Sequence, residues 1–267
     1  MLSIVRDAPV RIEEDRPFQP QRSRCARLLG HRILALWLTP LPSFQSVFPS
    51  RIGSNSIHFF QLDSASGKAT SKEMERIDSL FFSYANSTSE SIDPEGIEKL
   101  CSSMEVDHTD VRILMLAWKM KAEKQGYFTL EEWRRGLKAL RADTLSKLKK
   151  ALSELEKEVK RPTNFLDFYT YSFKYCLTED KQKSIDIEGI CQLLELVLGA
   201  QFGSQVYNFV EYLKVQSDYK VINMDQWLGF YRFCNEISFP DLRNYDPELA
   251  WPLILDNFVE WMRSKSL

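Results

Sequence analysis

The chain has 267 residues and a formal net charge of −2 at pH 7, with 44% hydrophobic and 27% charged residues. This length allows one large domain or two small ones with a hydrophobic core, and the composition is that of an ordinary soluble globular protein. A nearly neutral chain lacks the basic excess of a general nucleic-acid binder, so we expect no nucleic-acid partner, although local charged patches remain compatible with these numbers.

The cysteines favour neither a zinc site nor a disulfide framework. There are five, an odd number; none forms a Cys-x-x-Cys pair, and only three histidines accompany them. Buried free thiols in a reducing compartment are the simpler interpretation. The longest apolar run, residues 33–41, falls well short of the roughly 18 to 20 residues that span a bilayer. We therefore predict a soluble intracellular protein with no membrane segment, no metal and no cofactor.

The first 66 residues differ in composition from the rest. They contain several prolines and scattered arginines and show no sustained helical periodicity. A transit peptide would also be rich in arginine and serine, but the acidic run Glu13–Asp15 disfavours one. We interpret residues 1–66 as a poorly structured extension, or as the product of an upstream start that is not normally used, and place the folded domain at 67–267.

Helix signals dominate the chain after this extension. Two capping boxes, at residues 70–73 and 129–132, each precede apolar residues at helical spacing. The pair Asp93-Pro94 predicts an N-cap followed by proline at the first helical position. Asp107 is the predicted cap of the apolar helix over 111–120.

The helical pattern continues to the end of the chain. Apolar residues recur at spacings of three and four over 145–159, which predicts a long amphipathic helix ended by Pro162. An aromatic-rich segment follows at 165–175. Further helices are predicted over about 186–198, 204–214 and 223–237, and a last one opens at Pro252.

An internal repeat divides the folded region into two halves. Residues 91–97 match residues 184–190 at six of seven positions, 93 residues apart, and Phe128 likewise corresponds to Ile222. Each half is predicted to contain a helix, a short extended stretch and a helix, twice over, which is the outline of a pair of EF-hands. The predicted fold is therefore all-α, with two EF-hand-like helical halves packed as one elongated domain.

Calcium binding is disfavoured by the loops of this repeat. An EF-hand loop needs oxygen ligands at its positions 1, 3, 5, 9 and 12 and glycine at position 6. The best frame runs from Lys121 to Glu132, with Gly126 at position 6, but lysine at position 1 would set a positive charge against the cation. The other frames lack both the glycine and the final glutamate. We expect EF-hand geometry without metal.

The sequence contains few of the groups that catalysis requires. Nucleophilic chemistry needs a Cys or Ser beside a His and an orienting acid. Two of the three histidines lie in the extension, and His108, beside Asp107 and Asp110, is more simply a solvated first-turn residue. Neither a phosphate-binding glycine loop nor a dinucleotide fingerprint is present. We therefore predict a protein that is not an enzyme.

One long motif and three short ones resemble a known family. The long motif, residues 244–260, reads NYDPELAWPLILDNFVE. The short motifs are LAWK at 116–119, FLDFY at 165–169 and DQW at 225–227. Together they resemble the potentiating-neddylation domain of the defective-in-cullin-neddylation family, over about residues 70–264. The fold of that family, two EF-hand-like halves without calcium, agrees with the repeat.

The resemblance implies a scaffold-type co-ligase that promotes transfer of a ubiquitin-like modifier to a cullin. Family members bind the C-terminal winged-helix region of a cullin through an acidic patch, which is matched here by Asp225, Ala250 and Asp256. A separate hydrophobic pocket takes the acetylated N-terminal methionine of the neddylation conjugating enzyme. By local alignment, its lining corresponds to Ile97, Ile113, Leu116, Gln125, Phe128, Tyr175 and Leu196. The resemblance also implies a monomer located in the nucleus and cytoplasm.

Other interpretations of the acidic residues, the apolar residues and the function remain open. Residues 221–262 hold seven acids against two arginines, a local charge that would attract a basic partner, but such acids also occur on a solvated helix face. The apolar pocket positions are expected to be core in any helical domain. Two other function classes remain open: a helical EF-hand-like adaptor for another partner, and a binding module derived from a calcium sensor.

Overall fold

The computed structural model describes residues 64–265, with side chains from Ser71 onward. Within that range the chain forms ten helices and one two-stranded antiparallel sheet, so the predicted all-α class is confirmed. None of these helices is long and apolar enough to cross a bilayer. The prediction of an extension at 1–66 concerns residues that lie almost wholly outside the described range.

The helices follow the two halves of the repeat. The first half contains α1 (Ser64–Phe82), α2 (Pro94–Met104), α3 (Val111–Met120) and α4 (Leu130–Leu140), and α5 (Leu145–Val159) follows it. The second half contains α6 (Pro162–Tyr175), β1 (Ser184–Asp186), α7 (Ile187–Leu198), α8 (Gly203–Val215), β2 (Val221–Asn223) and α9 (Met224–Glu236). Helix α10 (Leu253–Lys265) is the last element described.

The internal repeat corresponds to two antiparallel pairings. Ile92 and Phe128 form an isolated bridge in which the backbone N–H of each donates to the carbonyl oxygen of the other at 2.9 Å. Ile185 faces Ile222 between β1 and β2. All four side chains are buried. The predicted equivalence of Phe128 and Ile222 is confirmed at the level of pairing, and the likeness to an EF-hand pair remains an interpretation of it.

Local chemistry sets several helix starts as predicted. The carboxylate of Asp93 accepts a hydrogen bond from the backbone N–H of Gly96 at 2.9 Å, and Pro94 is the first residue of α2. Thr129 and Glu132 form the predicted capping box of α4. Each side-chain oxygen satisfies an N–H that has no partner within the helix.

One predicted helix start and one predicted helix cap are wrong. Helix α1 begins at Ser64, ahead of Thr70, and so crosses the predicted domain boundary at residue 66. A capping-box pattern also occurs inside helices, and no proline lies between Ser64 and Thr70 to stop the helix from beginning earlier. Asp110 caps α3, whereas Asp107 binds within its own turn. Asp110 directly precedes Val111, the first residue of α3, so its carboxylate reaches the backbone N–H of Arg112 at 2.9 Å.

Equivalent tryptophans anchor the two halves to one continuous buried cluster. The indole N–H of Trp133 donates to the carbonyl oxygen of Ile77 in α1 at 3.0 Å. The indole N–H of Trp227 donates to the carbonyl oxygen of Tyr169 in α6, also at 3.0 Å. The rings of Trp227 and Tyr169 stack with their centroids 4.2 Å apart. The repeat therefore places each tryptophan against the first helix of its own half.

Candidate protein-binding surfaces

The first candidate surface lies where α9 packs against the start of α10. A Cβ added at Gly229 would lie 2.7 Å from Cγ of Pro252 and 3.6 Å from Cδ1 of Leu255. On the other side, the side-chain amide of Asn257 donates to the hydroxyl of Tyr219 at 3.0 Å. These two contacts join residues 219–229 to residues 252–257. We call residues 219–260, which include both contacts and the loop before α10, the acidic junction.

The acidic junction contains the three residues predicted to bind a cullin. Asp225 lies in the first turn of α9, between Tyr219 and Gly229 along the chain. Asp256 lies in the first turn of α10, between Leu255 and Asn257. Ala250 lies in the loop just before α10. Asp225 and Ala250 are exposed, and Asp256 is half-buried. The three positions therefore lie on the two segments that these contacts join.

Two leucines at the acidic junction were missed by sequence reasoning. Leu249 and Leu253 flank Ala250 and are 47% and 67% exposed. In the sequence they resemble any other apolar residues near a helix start. Only their exposure distinguishes them, because large apolar side chains on a surface are candidates for contact with a partner when they cluster.

Most of the negative charge at the acidic junction is not neutralised locally. Glu236 pairs with Arg232 at 2.9 Å, and Asp241 pairs with Arg243 at 3.5 Å. Within residues 71–265, no ion pair involves the other five acids of this region, Asp225, Asp246, Glu248, Asp256 and Glu260. Their combined field would attract a basic partner even though the whole chain is nearly neutral.

The loop before α10 is held by aromatic and cationic contacts. The indole N–H of Trp251 donates to the carbonyl oxygen of Asp246 at 3.2 Å, and the guanidinium of Arg232 lies 4.1 Å from the centre of the Trp251 ring. The hydroxyl of Tyr245 donates to a carboxylate oxygen of Asp256 at 2.6 Å. Burial, and then this hydrogen bond, raises the pKa of Tyr245, so the hydroxyl keeps its proton and remains a donor.

The apolar residues predicted to line the second site are mostly core. Four of them are at most 3% exposed and belong to the continuous buried cluster: Ile97, Ile113, Leu116 and Phe128. Leu196, in α7 of the second half, is half-buried. Ordinary core residues would be buried in the same way, so this burial does not distinguish a pocket from core.

The predicted pocket residues Gln125 and Tyr175 lie on segments that contact each other. The backbone N–H of Gly126, the residue after Gln125, donates to the Tyr175 hydroxyl at 3.2 Å. The side-chain amide nitrogen of Gln125 lies 4.0 Å from the sulfur of Cys176. Its amide oxygen is buried and has no hydrogen-bond partner in the part of the chain described. Such an unpaired acceptor costs roughly 1–3 kcal/mol, which a donor on a ligand would offset.

The loop that best resembles a calcium site is closed by its own glutamate. The two carboxylate oxygens of Glu132 accept hydrogen bonds from the backbone N–H groups of Glu123 at 2.9 Å and Thr129 at 2.7 Å. Lys121, at the first position, caps the end of α3 with φ of 53°. Backbone groups therefore already engage the oxygens that an EF-hand would direct at calcium.

The described cysteines have raised pKa values, whereas catalytic thiols have lowered ones. Cys101, Cys176, Cys191 and Cys234 are free. Burial raises the pKa of Cys101 and Cys176 to about 12 and that of Cys191 to about 11, and it also raises the pKa of Cys234. A nucleophilic cysteine needs a depressed pKa, because the thiolate is the reactive form.

Comparison with known proteins agrees with the resemblance in the sequence motifs. Residues 147–261 match a family model described as "Cullin binding", and this range includes the acidic junction. DCN1-like protein 4 from Homo sapiens is 41% identical over 187 residues, which cover 70% of this chain and 62% of that protein. DCN1-like protein 5 from Homo sapiens is 37% identical over 185 residues, 68% of this chain and 75% of that protein.

A third relative has a similar level of identity. DCN1-like protein 2 from Dictyostelium discoideum is 39% identical over 177 residues, which cover 66% of this chain and 65% of that protein. The chain therefore spans less than two thirds of the length of several relatives, the DCN1-like protein 4 sequences among them.

Proposed function

Because this chain belongs to the DCN1-like protein family, we propose that it is a non-catalytic co-ligase that binds a cullin together with a neddylation conjugating enzyme. The match of residues 147–261 to the cullin-binding family model carries this proposal. Holding two reactants in one geometry raises their effective concentration and removes an orientational search, so the scaffold needs no nucleophile. Its monomeric state and its location in the nucleus and cytoplasm stay predictions.

The acidic junction is the surface that we propose for the cullin. Asp225 and Asp256 supply negative charge, and the exposed side chains of Leu249 and Leu253 supply apolar area beside Ala250. Charge of one sign raises the rate of encounter with a basic partner, and apolar contacts buried at the centre contribute to affinity. The small Ala250 side chain would allow close approach of the partner.

Charge reversal at the acidic junction tests the cullin assignment. The double variant Asp225→Lys, Asp256→Lys should lose about 100-fold or more in affinity, because juxtaposed like charges in an interface cost several kcal/mol. Titration calorimetry with the purified winged-helix region of a cullin, in a buffer of low ionic strength, measures the change.

The matched control makes the same change of charge in the first half. Glu95 and Glu131 are exposed and lie in the first turns of α2 and α4, so Glu95→Lys, Glu131→Lys loses the same favourable interaction with helix N-termini. This control should bind the cullin like the unmodified chain. Wild-type affinity of the junction variant would show that the cullin binds elsewhere.

The second part of the proposal concerns the conjugating enzyme. We propose that its acetylated N-terminal methionine binds next to Gln125, whose buried amide oxygen lacks a donor among the residues described. Burying a methionine side chain contributes about 1.5–3 kcal/mol. Acetylation favours such a site because a free terminal ammonium would be costly to desolvate there.

A further inference from the structure

We infer that Tyr245 is a positioning residue that orients the carboxylate of Asp256 toward the partner of the acidic junction. This inference rests on the function proposed above. The Tyr245 hydroxyl donates to Oδ1 of Asp256 at 2.6 Å, across 11 residues of sequence. That length is typical of a hydrogen bond from a hydroxyl to an ionised carboxylate, which is stronger than a bond between neutral groups.

Tyr245 is itself held in place by its neighbours. Its side chain is 7% exposed, and its ring stacks on Trp251 with the centroids 5.6 Å apart and the planes at 23°. The ring of Phe233 in α9 lies 6.0 Å away. The hydroxyl therefore projects from a fixed frame, and this frame joins α9 to the loop before α10.

A second tyrosine fixes the neighbouring side chain. The hydroxyl of Tyr219, which precedes β2, accepts a hydrogen bond from the side-chain amide of Asn257 at 3.0 Å. The proximity of Asp256 contributes to the raised pKa of Tyr219, after burial and Asp218. Two consecutive side chains in the first turn of α10 are thus held by hydroxyl groups from two other segments.

This arrangement leaves one carboxylate oxygen for the partner. Oδ1 of Asp256 is engaged by Tyr245, whereas no donor within the described residues contacts Oδ2. Asp256 is half-buried, so its rotamer is set by the fold before the partner arrives. A side chain ordered in advance loses less conformational entropy on binding than a mobile one.

The variant Tyr245→Phe tests the inference, because it keeps the ring and removes only the hydroxyl. In the full chain, its affinity for the winged-helix region of a cullin should fall about three- to tenfold, the range expected when one side chain must be ordered during binding. Asp256→Ala should weaken binding as well. In the Asp256→Ala background, Tyr245→Phe should cause no further loss of affinity.

The double-mutant cycle separates positioning from a general structural effect. If Tyr245 merely supported the loop, its hydroxyl would contribute the same loss of affinity in both backgrounds, and the inference would be overturned. Tyr171→Phe is the control: it removes a hydroxyl that donates to the carbonyl oxygen of Ala122 at 2.9 Å, outside the acidic junction. Its cullin affinity should not change.

The remaining outcomes distinguish this inference from the function on which it rests. Wild-type or tighter binding by folded Tyr245→Phe, together with weakened binding by Asp256→Ala, would overturn the positioning role and leave the cullin surface in place. Wild-type binding by Asp256→Ala would overturn the proposed cullin surface itself. Circular dichroism melting curves of each variant confirm that the compared proteins are folded.

Discussion

Glu132 holds the loop between α3 and α4 with both of its carboxylate oxygens. One oxygen completes the capping box with Thr129, and the other accepts the backbone N–H of Glu123, nine residues earlier. Its side chain is 7% exposed, so the carboxylate is held inside the fold by the two N–H groups whose hydrogen bonds it accepts. At the scale of single residues, this glutamate acts as a structural clamp in the position where an EF-hand has a calcium ligand.

The variant Glu132→Gln should destabilise the chain by about 1–3 kcal/mol, because an amide offers only one oxygen to the two N–H groups. Urea denaturation measures the loss. Glu131→Gln, at the exposed neighbouring position, should stay within about 0.5 kcal/mol of the unmodified chain. Calcium should leave the urea midpoint of the unmodified chain where it was; a rise on adding calcium would favour the sensor-derived alternative.

Helices α9 and α10 meet at a glycine, and this contact is the structural basis of the acidic junction. Gly229 faces the ring of Pro252, which is two residues from Ala250 and begins the approach to α10. Phe230, in the next position of α9, stacks on Phe209 of α8 with centroids 4.1 Å apart. Helix α9 is therefore packed against α8 and against Pro252, and it has little room to move away from an added side chain.

The variant Gly229→Ala should lower both stability and cullin affinity. Alanine favours a helix interior by up to about 1 kcal/mol, but its Cβ would lie 2.7 Å from a rigid proline ring, and overpacking of this kind costs about 1–3 kcal/mol. Displacing Pro252 also displaces Ala250. Thermal melts and cullin titration measure the two effects.

Gly203→Ala provides the matched comparison for this prediction. A Cβ at Gly203, the first residue of α8, would meet no heavy atom of the described chain within 4 Å. Its stability should be unchanged or slightly higher, and its cullin affinity should be unchanged. Equal behaviour of the two alanine variants would show that the glycine contact does not maintain the junction.

The whole molecule combines two candidate surfaces on different parts of one fold. The acidic junction belongs to α9 and α10, whereas Gln125 lies in the loop between α3 and α4 and contacts the end of α6 through Cys176. The net charge of the chain is only −2, so the attraction for a basic partner comes from the local distribution of charge. Two separate surfaces would allow the two proposed partners, a cullin and the conjugating enzyme, to bind at the same time.

An acetylated N-terminal peptide of the neddylation conjugating enzyme should therefore bind independently of the acidic junction. We expect the unacetylated peptide to bind about tenfold more weakly or worse, because its ammonium must be desolvated. Gln125→Ala should weaken binding of the acetylated peptide, and the junction variant Asp225→Lys, Asp256→Lys should not. Fluorescence polarisation measures each affinity. Equal affinities for the two peptides would contradict the proposed pocket.

Much of the fold could be predicted because its signals are local. A cap such as Asp93, the proline at position 94 and the spacing of apolar residues act within one or two helical turns. The repeat predicted that Phe128 and Ile222 are equivalent positions, and each pairs with an isoleucine of its own half. The prediction of Asp107 as the cap of α3 is wrong, since the cap is Asp110, directly before the helix. Motif resemblance supplied the proposed cullin-binding positions, which periodicity would not have indicated.

Sequence alone determined the helical class, most helix boundaries and the family, since these depend on residues that are close along the chain or on a long shared motif. Only tertiary structure decided that Tyr245 holds Asp256, that Gly229 meets Pro252, and that Leu253 is exposed. Each of these facts depends on how distant segments pack. Packing is the combined result of many weak contacts across the core, and no single spacing in the sequence reports it.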